Sequence, residues 1–145
     1  MDENSIKIVE NKTTVTEEIA EQDFERMLKA ARVKWDLYRQ ISGTRDADND
    51  KALIISEIMD GRISVNESGF PTVHTESEIQ PEIKIFRRST RADKLMIDRC
   101  KEGHNVQAQD AVMGVFLKVA PTVLQKLDDV DYRNVEVLWS LFLGY

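Results

Sequence analysis

The chain has 145 residues, 41% of them hydrophobic and 32% charged, with a formal net charge of -6 and one cysteine. That length is most simply one domain, burying about 70% of its unfolded surface, and the composition is too apolar for wholesale disorder. Cys100 alone excludes an intramolecular disulfide framework and suits a reducing cytoplasm, Cys100, His74 and His104 are too few donors for a structural zinc site, and no apolar run reaches the ~18 residues that would span a bilayer.

Residues 1–13 are polar apart from Ile6, Ile8 and Val9 and read as a flexible N-terminal arm, with a short edge strand as the alternative, ahead of a single α+β domain over 14–145. The acidic start, Met1 to Ser5, has neither a basic nor an apolar region, so no secretory signal is expected. Thr14 and Glu17 stand at capping-box spacing, and Glu17, Glu18 and Glu21 favour the positive end of a helix dipole. Phe24, Met27, Leu28, Ala31, Trp35 and Tyr38 then share one helical face up to Gly43, a C-cap. This predicts one long N-terminal helix of about 25 residues, near 37 Å, with apolar length to spare for another chain.

Asp46, Asp48, Asp50 and Glu57 copy positions 1, 3, 5 and 12 of a calcium loop, with Leu53 at the hydrophobic position. Lys51 stands where that loop needs glycine. The competing and preferred reading is a helix capped at Asp48 or Asn49 that packs Leu53, Ile54, Ile58 and Met59 inward and closes at Gly61. No metal is expected.

From Arg62 the period changes to two. Ile63 to Val65 alternates, Asn66-Glu67-Ser68-Gly69 has turn composition, Pro71 begins a return strand over Thr72 to Thr75, and Glu82 to Ile85 gives a third strand with Ile83 and Ile85 inward. The expected architecture is α+β, a small antiparallel β-meander covered by several α-helices.

Thr90 and Asp93 are spaced as a helix N-cap pair, followed by a stripe of Ala92, Leu95, Met96 and Cys100 closed by Gly103. Cys100 reads as a small core hydrophobe, since no histidine is adjacent in sequence to activate it. Asn105 can cap the next helix, with Val112, Met113, Phe116, Leu117 and Ala120 on one face, and Pro121 opens a short helix carrying Val123, Leu124 and Leu127. Asp128, Asp129 and Asp131 are explained as caps and dipole partners of a last helix bearing Val135, Leu138, Trp139 and Phe142. Leu141, Leu143 and Tyr145 leave that stripe, so the C-terminal helix is apolar nearly all round and needs cover on both sides.

The order of a strand, an Arg88-Ser89-Thr90-Arg91-Ala92-Asp93 turn, helices, a Leu124/Leu127-Asp128/Asp131-Tyr132 turn and a helix closing on Phe142-Leu143-Gly144 resembles the C-terminal half of phage tail assembly chaperones. The match covers about the last 60 residues. Ser89 stands where that pattern has proline, and Lys94 where it has leucine, with Leu95 one place later. The resemblance implies a non-catalytic protein that binds the helical tape-measure protein and helps tail-tube subunits assemble around it.

No Gly-rich phosphate loop, nucleophile elbow or histidine pair points to an enzyme, and no cofactor is expected. A second class, nucleic-acid binding, is suggested by Lys84, Arg87, Arg88, Arg91, Lys94, Arg99 and Lys101 around one strand-to-helix junction, set against an acidic chain of sequence pI near 5.0. The assembly reading accounts for more: the surplus apolar helix and the apolar C-terminus suit a protein completed by a partner or by copies of itself. The residues expected to make that contact are Trp139, Phe142, Leu143 and Tyr145, then Trp35 and Tyr38, each with an ordinary core place as its alternative, equally favoured for Trp139 and Phe142.

Overall fold

The computed structural model describes residues 7–9, 12–96 and 106–143. Strands β1 (Lys7–Val9) and β2 (Lys12–Thr14) pair antiparallel with each other alone, so the segment expected as an arm contains a separate hairpin. Val15 N–H donates to the Met59 carbonyl, tying the exit of that hairpin to the core.

Helix α1 (Glu17–Ala31) is capped by Thr16, whose Oγ1 accepts from Ile19 N–H at 3.3 Å, and Thr14 lies in β2. Its inward stripe is Ala20, Phe24, Met27, Leu28 and Ala31. The single long helix is corrected here to two. Arg32 adopts the left-handed conformation with φ 58°, its N–H returning to the Leu28 and Lys29 carbonyls, and α2 (Trp35–Ser42) starts afresh. Along a straight helix Trp35 would lie about 16 Å from Phe24. The break instead folds the Trp35 ring edge-on to Phe24 at 5.4 Å, with Tyr38 stacked on Trp35 at 5.2 Å. Aromatic contacts in these geometries contribute about 0.5–1.5 kcal/mol beyond area burial, and together they favour reversal over extension.

Gly43, with φ 91°, ends α2 as expected and at once precedes α3 (Thr44–Met59). Asp48 and Asn49 therefore lie inside α3 and do not cap it. Ala47, Ile54, Glu57 and Ile58 are the buried face of α3, with Leu53 and Met59 partly buried against the core.

Strands β3 (Ile63–Val65), β4 (Pro71–His74) and β5 (Glu82–Lys84) form the antiparallel meander in the order β3-β4-β5. Ile63, Val73, Ile83 and Ile85 face the core. In the β3–β4 turn, Gly69 (φ 92°) donates to the Asn66 carbonyl, while Arg26 of α1 donates to the Val65 and Asn66 carbonyls. A Cβ on Gly69 would meet the Arg26 carbonyl oxygen and Ala30. Gly69→Ala is therefore expected to cost about 1–3 kcal/mol from strain alone; urea denaturation reads it, and a loss within error would mean that the turn can lift off α1.

Helix α4 begins at residue 91 and is described to residue 96. Then come α5 (Val106–Leu117), α6 (Pro121–Gln125, with the proline in its first turn) and α7 (Asp129–Leu143). Cys100, Gly103, His104 and Asn105 lie outside the described residues. Helix α5 ends at Lys118 in the left-handed conformation, as α1 ends at Arg32. Asp128 caps α7 by accepting from Asp131 N–H at 2.8 Å. Helix α7 is buried on nearly all sides, packed against α1, α3 and β4. The architecture is α+β. None of the helices among the described residues is long and apolar enough to cross a membrane.

Candidate functional site

The residues of the C-terminal pattern come together at a junction between the meander and the end of α7. Thr90 and Asp93 form a reciprocal cap: Thr90 N–H and Oγ1 donate to Asp93 Oδ2 at 2.6 and 3.1 Å, and Asp93 N–H donates to Thr90 Oγ1 at 3.4 Å. Such a box satisfies donors that a helix start leaves open. Arg87 makes a bidentate pair with the buried Asp93, at 2.7 and 3.0 Å, and its guanidinium lies 4.6 Å over the Phe116 ring. The pairing with Arg87 holds the Asp93 carboxyl below the usual aspartate range, with the Thr90 hydrogen bonds adding to it against the opposing effect of burial. Ser89, at the proline position, donates its N–H to the Phe142 carbonyl at 3.3 Å and its Oγ to the Leu143 carbonyl at 2.8 Å. A proline there could make neither bond.

At the other turn, Tyr132 Oη donates to Asp110 Oδ1 at 2.6 Å, binding α7 to α5. Burial, then the Asp110 carboxylate, raises the phenol above its ordinary range. Leu124 is fully buried and Leu127 partly so, Arg88 is exposed, and Gly144 lies outside the described residues.

Of the expected contact residues, those described on α7 take the core places that stood as their alternative. Trp139, Phe142 and Leu143 are 7%, 0% and 6% exposed, so the cover that α7 requires comes from within the chain. Phe142 packs its ring on Phe70 at 5.7 Å. Trp139 is interior too, its indole Nε1 without a hydrogen-bond acceptor among the described residues. Tyr38 is 2% exposed and donates to Asp50 Oδ2 at 3.3 Å; Tyr145 lies outside the described residues. Only Trp35 remains at the surface in part. It lines a shallow cleft of about 620 Å³ with Lys34, Asp36, Leu37 and Gln40, beside which Leu37 and Ile41 are exposed. Leu37 and Ile41, four apart on α2, give no separate signal in the sequence, where they fall off the face shared by Phe24, Met27, Ala31, Trp35 and Tyr38.

The calcium-loop spacing does not form a loop. All of Asp46, Asp48, Asp50 and Glu57 lie on α3: Asp48 takes a bidentate pair from Arg39, Asp50 accepts from Tyr38, and Glu57 turns into the core. The basic patch is likewise divided. Arg87 is committed to Asp93 and Phe116, whereas Arg88, Arg91 and Lys94 are exposed and carry no ion pair among the described residues. Arg99 and Lys101 lie outside them.

Two polar clusters emerge that the sequence did not suggest. In the first, Glu57 is buried and accepts from Arg62 Nε and Nη2 at 2.5 and 2.9 Å and from Asn134 Nδ2 at 2.7 Å, joining α3, the start of β3 and α7. Arg62 holds the Glu57 carboxyl below its usual range against burial, and Glu57 in turn raises the guanidinium. Nearby Asp131 accepts from Glu76 N–H at 2.8 Å; burial pushes its carboxyl up, as it does that of Asp50. In the second, Ser64 Oγ lies 2.8 Å from His74 Nε2, and His74 Nδ1 lies 3.6 Å from Glu82 Oε2. The order copies a nucleophilic triad, but the row crosses the exposed face of the meander. The carboxylate stands beyond hydrogen-bonding reach of the imidazole. It is a cross-strand polar ladder.

Comparison with protein-family models, with curated proteins and with solved structures finds no match to this chain.

Proposed function

We propose that this chain is a non-catalytic tail-assembly chaperone of phage, working in the host cytoplasm, that binds a tape-measure protein and promotes assembly of tail-tube subunits on it. The observation that supports this reading is that two turns of the C-terminal pattern are built by its own residues, Thr90 with Asp93 at the start of α4 and Asp128 with Asp131 at the start of α7; the Ser89 bonds to Phe142 and Leu143 are particular to this chain. The resemblance supplies the partner class. A helical partner needs an apolar strip with polar flanks, and the outer face of α2 offers Leu37 and Ile41, with Lys34, Trp35 and Asp36 lining the adjoining cleft. A tagged copy recovered from its native or infected cells is expected to retain a very long helical tail protein, with tail-tube subunits behind it, by mass spectrometry. Leu37→Asp combined with Ile41→Asp is expected to lose that protein while keeping the helical circular-dichroism spectrum. Retention of nucleic acid, or of nothing above background, would count against the reading.

The exposed Arg88, Arg91 and Lys94 favour one second reading, phosphate contact by a nucleic-acid-binding protein. Salt-sensitive binding of a labelled oligonucleotide at micromolar concentration is its signature; absence of binding at ~50 mM salt removes it.

A further inference from the structure

The two edges of the meander are finished differently. Between β3 and β4, His74 N–H donates to the Arg62 carbonyl and Asn66 N–H to the Phe70 carbonyl, so the main-chain groups of Ile63 and Val65 point to the outer edge of β3, where Arg26 already donates to the Val65 carbonyl. At the other edge Ile85 N–H donates to the Pro71 carbonyl and Thr75 N–H to the Pro81 carbonyl. The residues of β5 alternate in direction, so Glu82, Lys84 and Phe86 aim their main-chain groups away from the sheet. The Glu82 carbonyl accepts from the Gln80 side chain, whereas neither Lys84 nor the Phe86 N–H has a main-chain partner on that side among the described residues. An open edge of this kind is a template for another strand. Beside it runs a cleft of about 340 Å³ walled by Phe86, Leu117, Lys118 and Val119.

We propose that the strand that fills this edge is β5 of a second copy, paired antiparallel about a two-fold axis at Ile83 to give one continuous sheet across the dimer. The charges select both the occupant and the register. Glu82 and Lys84 are exposed on one face and Ile83 is buried on the other. A two-fold axis at Glu82 sets Glu82 against Glu82, and one at Lys84 sets Lys84 against Lys84; like charges directly opposite are destabilising. An axis at Ile83 sets Glu82 of each copy against Lys84 of the other, twice. The same register aligns the N–H and C=O groups of Glu82 and Lys84 for about four main-chain hydrogen bonds, the two to the Glu82 carbonyls requiring the Gln80 amide that caps each to swing aside, and brings Pro81 of the second copy beside the cleft at Phe86. An isologous contact of this sort closes at two subunits.

Sedimentation of the full chain in ~50 mM salt is expected to show a concentration-dependent species of about twice 16.7 kDa. Lys84→Pro removes an outward N–H that no main-chain group accepts among the described residues, together with the ammonium that lies 4.0 Å from Glu82, and should be monomeric with an unchanged circular-dichroism spectrum. Glu82→Lys and Lys84→Glu should each raise the dimer dissociation constant about tenfold or more, two attractive pairs becoming repulsive. The double variant, in which the two charges are exchanged, should return to within about threefold of the parent. A monomeric parent at ~100 µM, a Lys84→Pro protein that folds and still dimerises, or single reversals without effect would each overturn the proposal. Should Lys84→Pro fail to fold, the exchange of charges decides alone.

Discussion

Arg62→Ala is expected to lower stability by about 1–3 kcal/mol at pH 7, the cost of leaving a buried group short of its hydrogen-bond partners and less than that of breaking a wholly buried ion pair, because the Arg62 side chain is 34% exposed. The guanidinium makes two of the three hydrogen bonds that Glu57 accepts, and Glu57 itself is 4% exposed. Without Arg62 the carboxylate would be left in the core with Asn134 Nδ2 as its one remaining donor. The loss should depend on pH with a definite sign. In the parent the Glu57 carboxyl is held below its unfolded value, so its contribution is present above that value, near 4.5, and fades as the pH falls through the folded one. In the variant, burial without the cation favours the neutral acid. The difference between the two proteins should therefore shrink as the pH is taken from 7 towards 4. Urea denaturation at several pH values measures it, and a difference constant with pH would mean that Glu57 is solvated once Arg62 is gone.

Phe142→Ala is expected to cost about 3–5 kcal/mol, a large part of the 5–15 kcal/mol that folds most domains. The ring is wholly inaccessible and packs on Phe70, and the same residue's carbonyl receives the Ser89 N–H. Phe142→Leu keeps most of the apolar volume and should cost markedly less. The pair of variants separates two roles for the C-terminal aromatic: a contact residue would leave the melting temperature unchanged on truncation and lose only the partner. A Phe142→Ala protein as stable as its parent would show that α7 can repack, or that its end is held some other way.

Local chemistry was legible in the sequence where one residue type suffices to set a backbone conformation or a period. The Asn66–Gly69 turn, the alternation at Ile83 and Ile85, the Thr90/Asp93 cap and the proline of α6 all stand where the residues place them. The break between α1 and α2 was not legible, because Arg32 takes the left-handed conformation without a glycine, asparagine or proline to announce it. What drives that break is the Phe24–Trp35–Tyr38 stack, a tertiary gain set against local propensity. The start of α3 was obscured by its own carboxylates, whose spacing suited a cap or a loop as well as a helix surface. For the surface, the apolar character of Trp139, Phe142 and Leu143 could not say which neighbour covers them. Glu57, Arg62 and Asn134 give no joint signal in a linear reading, and the open edge of β5 exists only once strand order is known.

The bond between Glu57 and Asn134 spans 77 residues of sequence. Its consequence is kinetic. Helices α1 and α3 can form early from local hydrogen bonds, yet the trough they make with β4 stays unfilled until α7 arrives across that long loop. Closing such a loop carries an entropic penalty that grows with the logarithm of its length and must be met before the contacts reward it. Docking of α7 is therefore expected to limit the folding rate, and a half-formed chain will display to its surroundings the apolar trough that the finished one conceals.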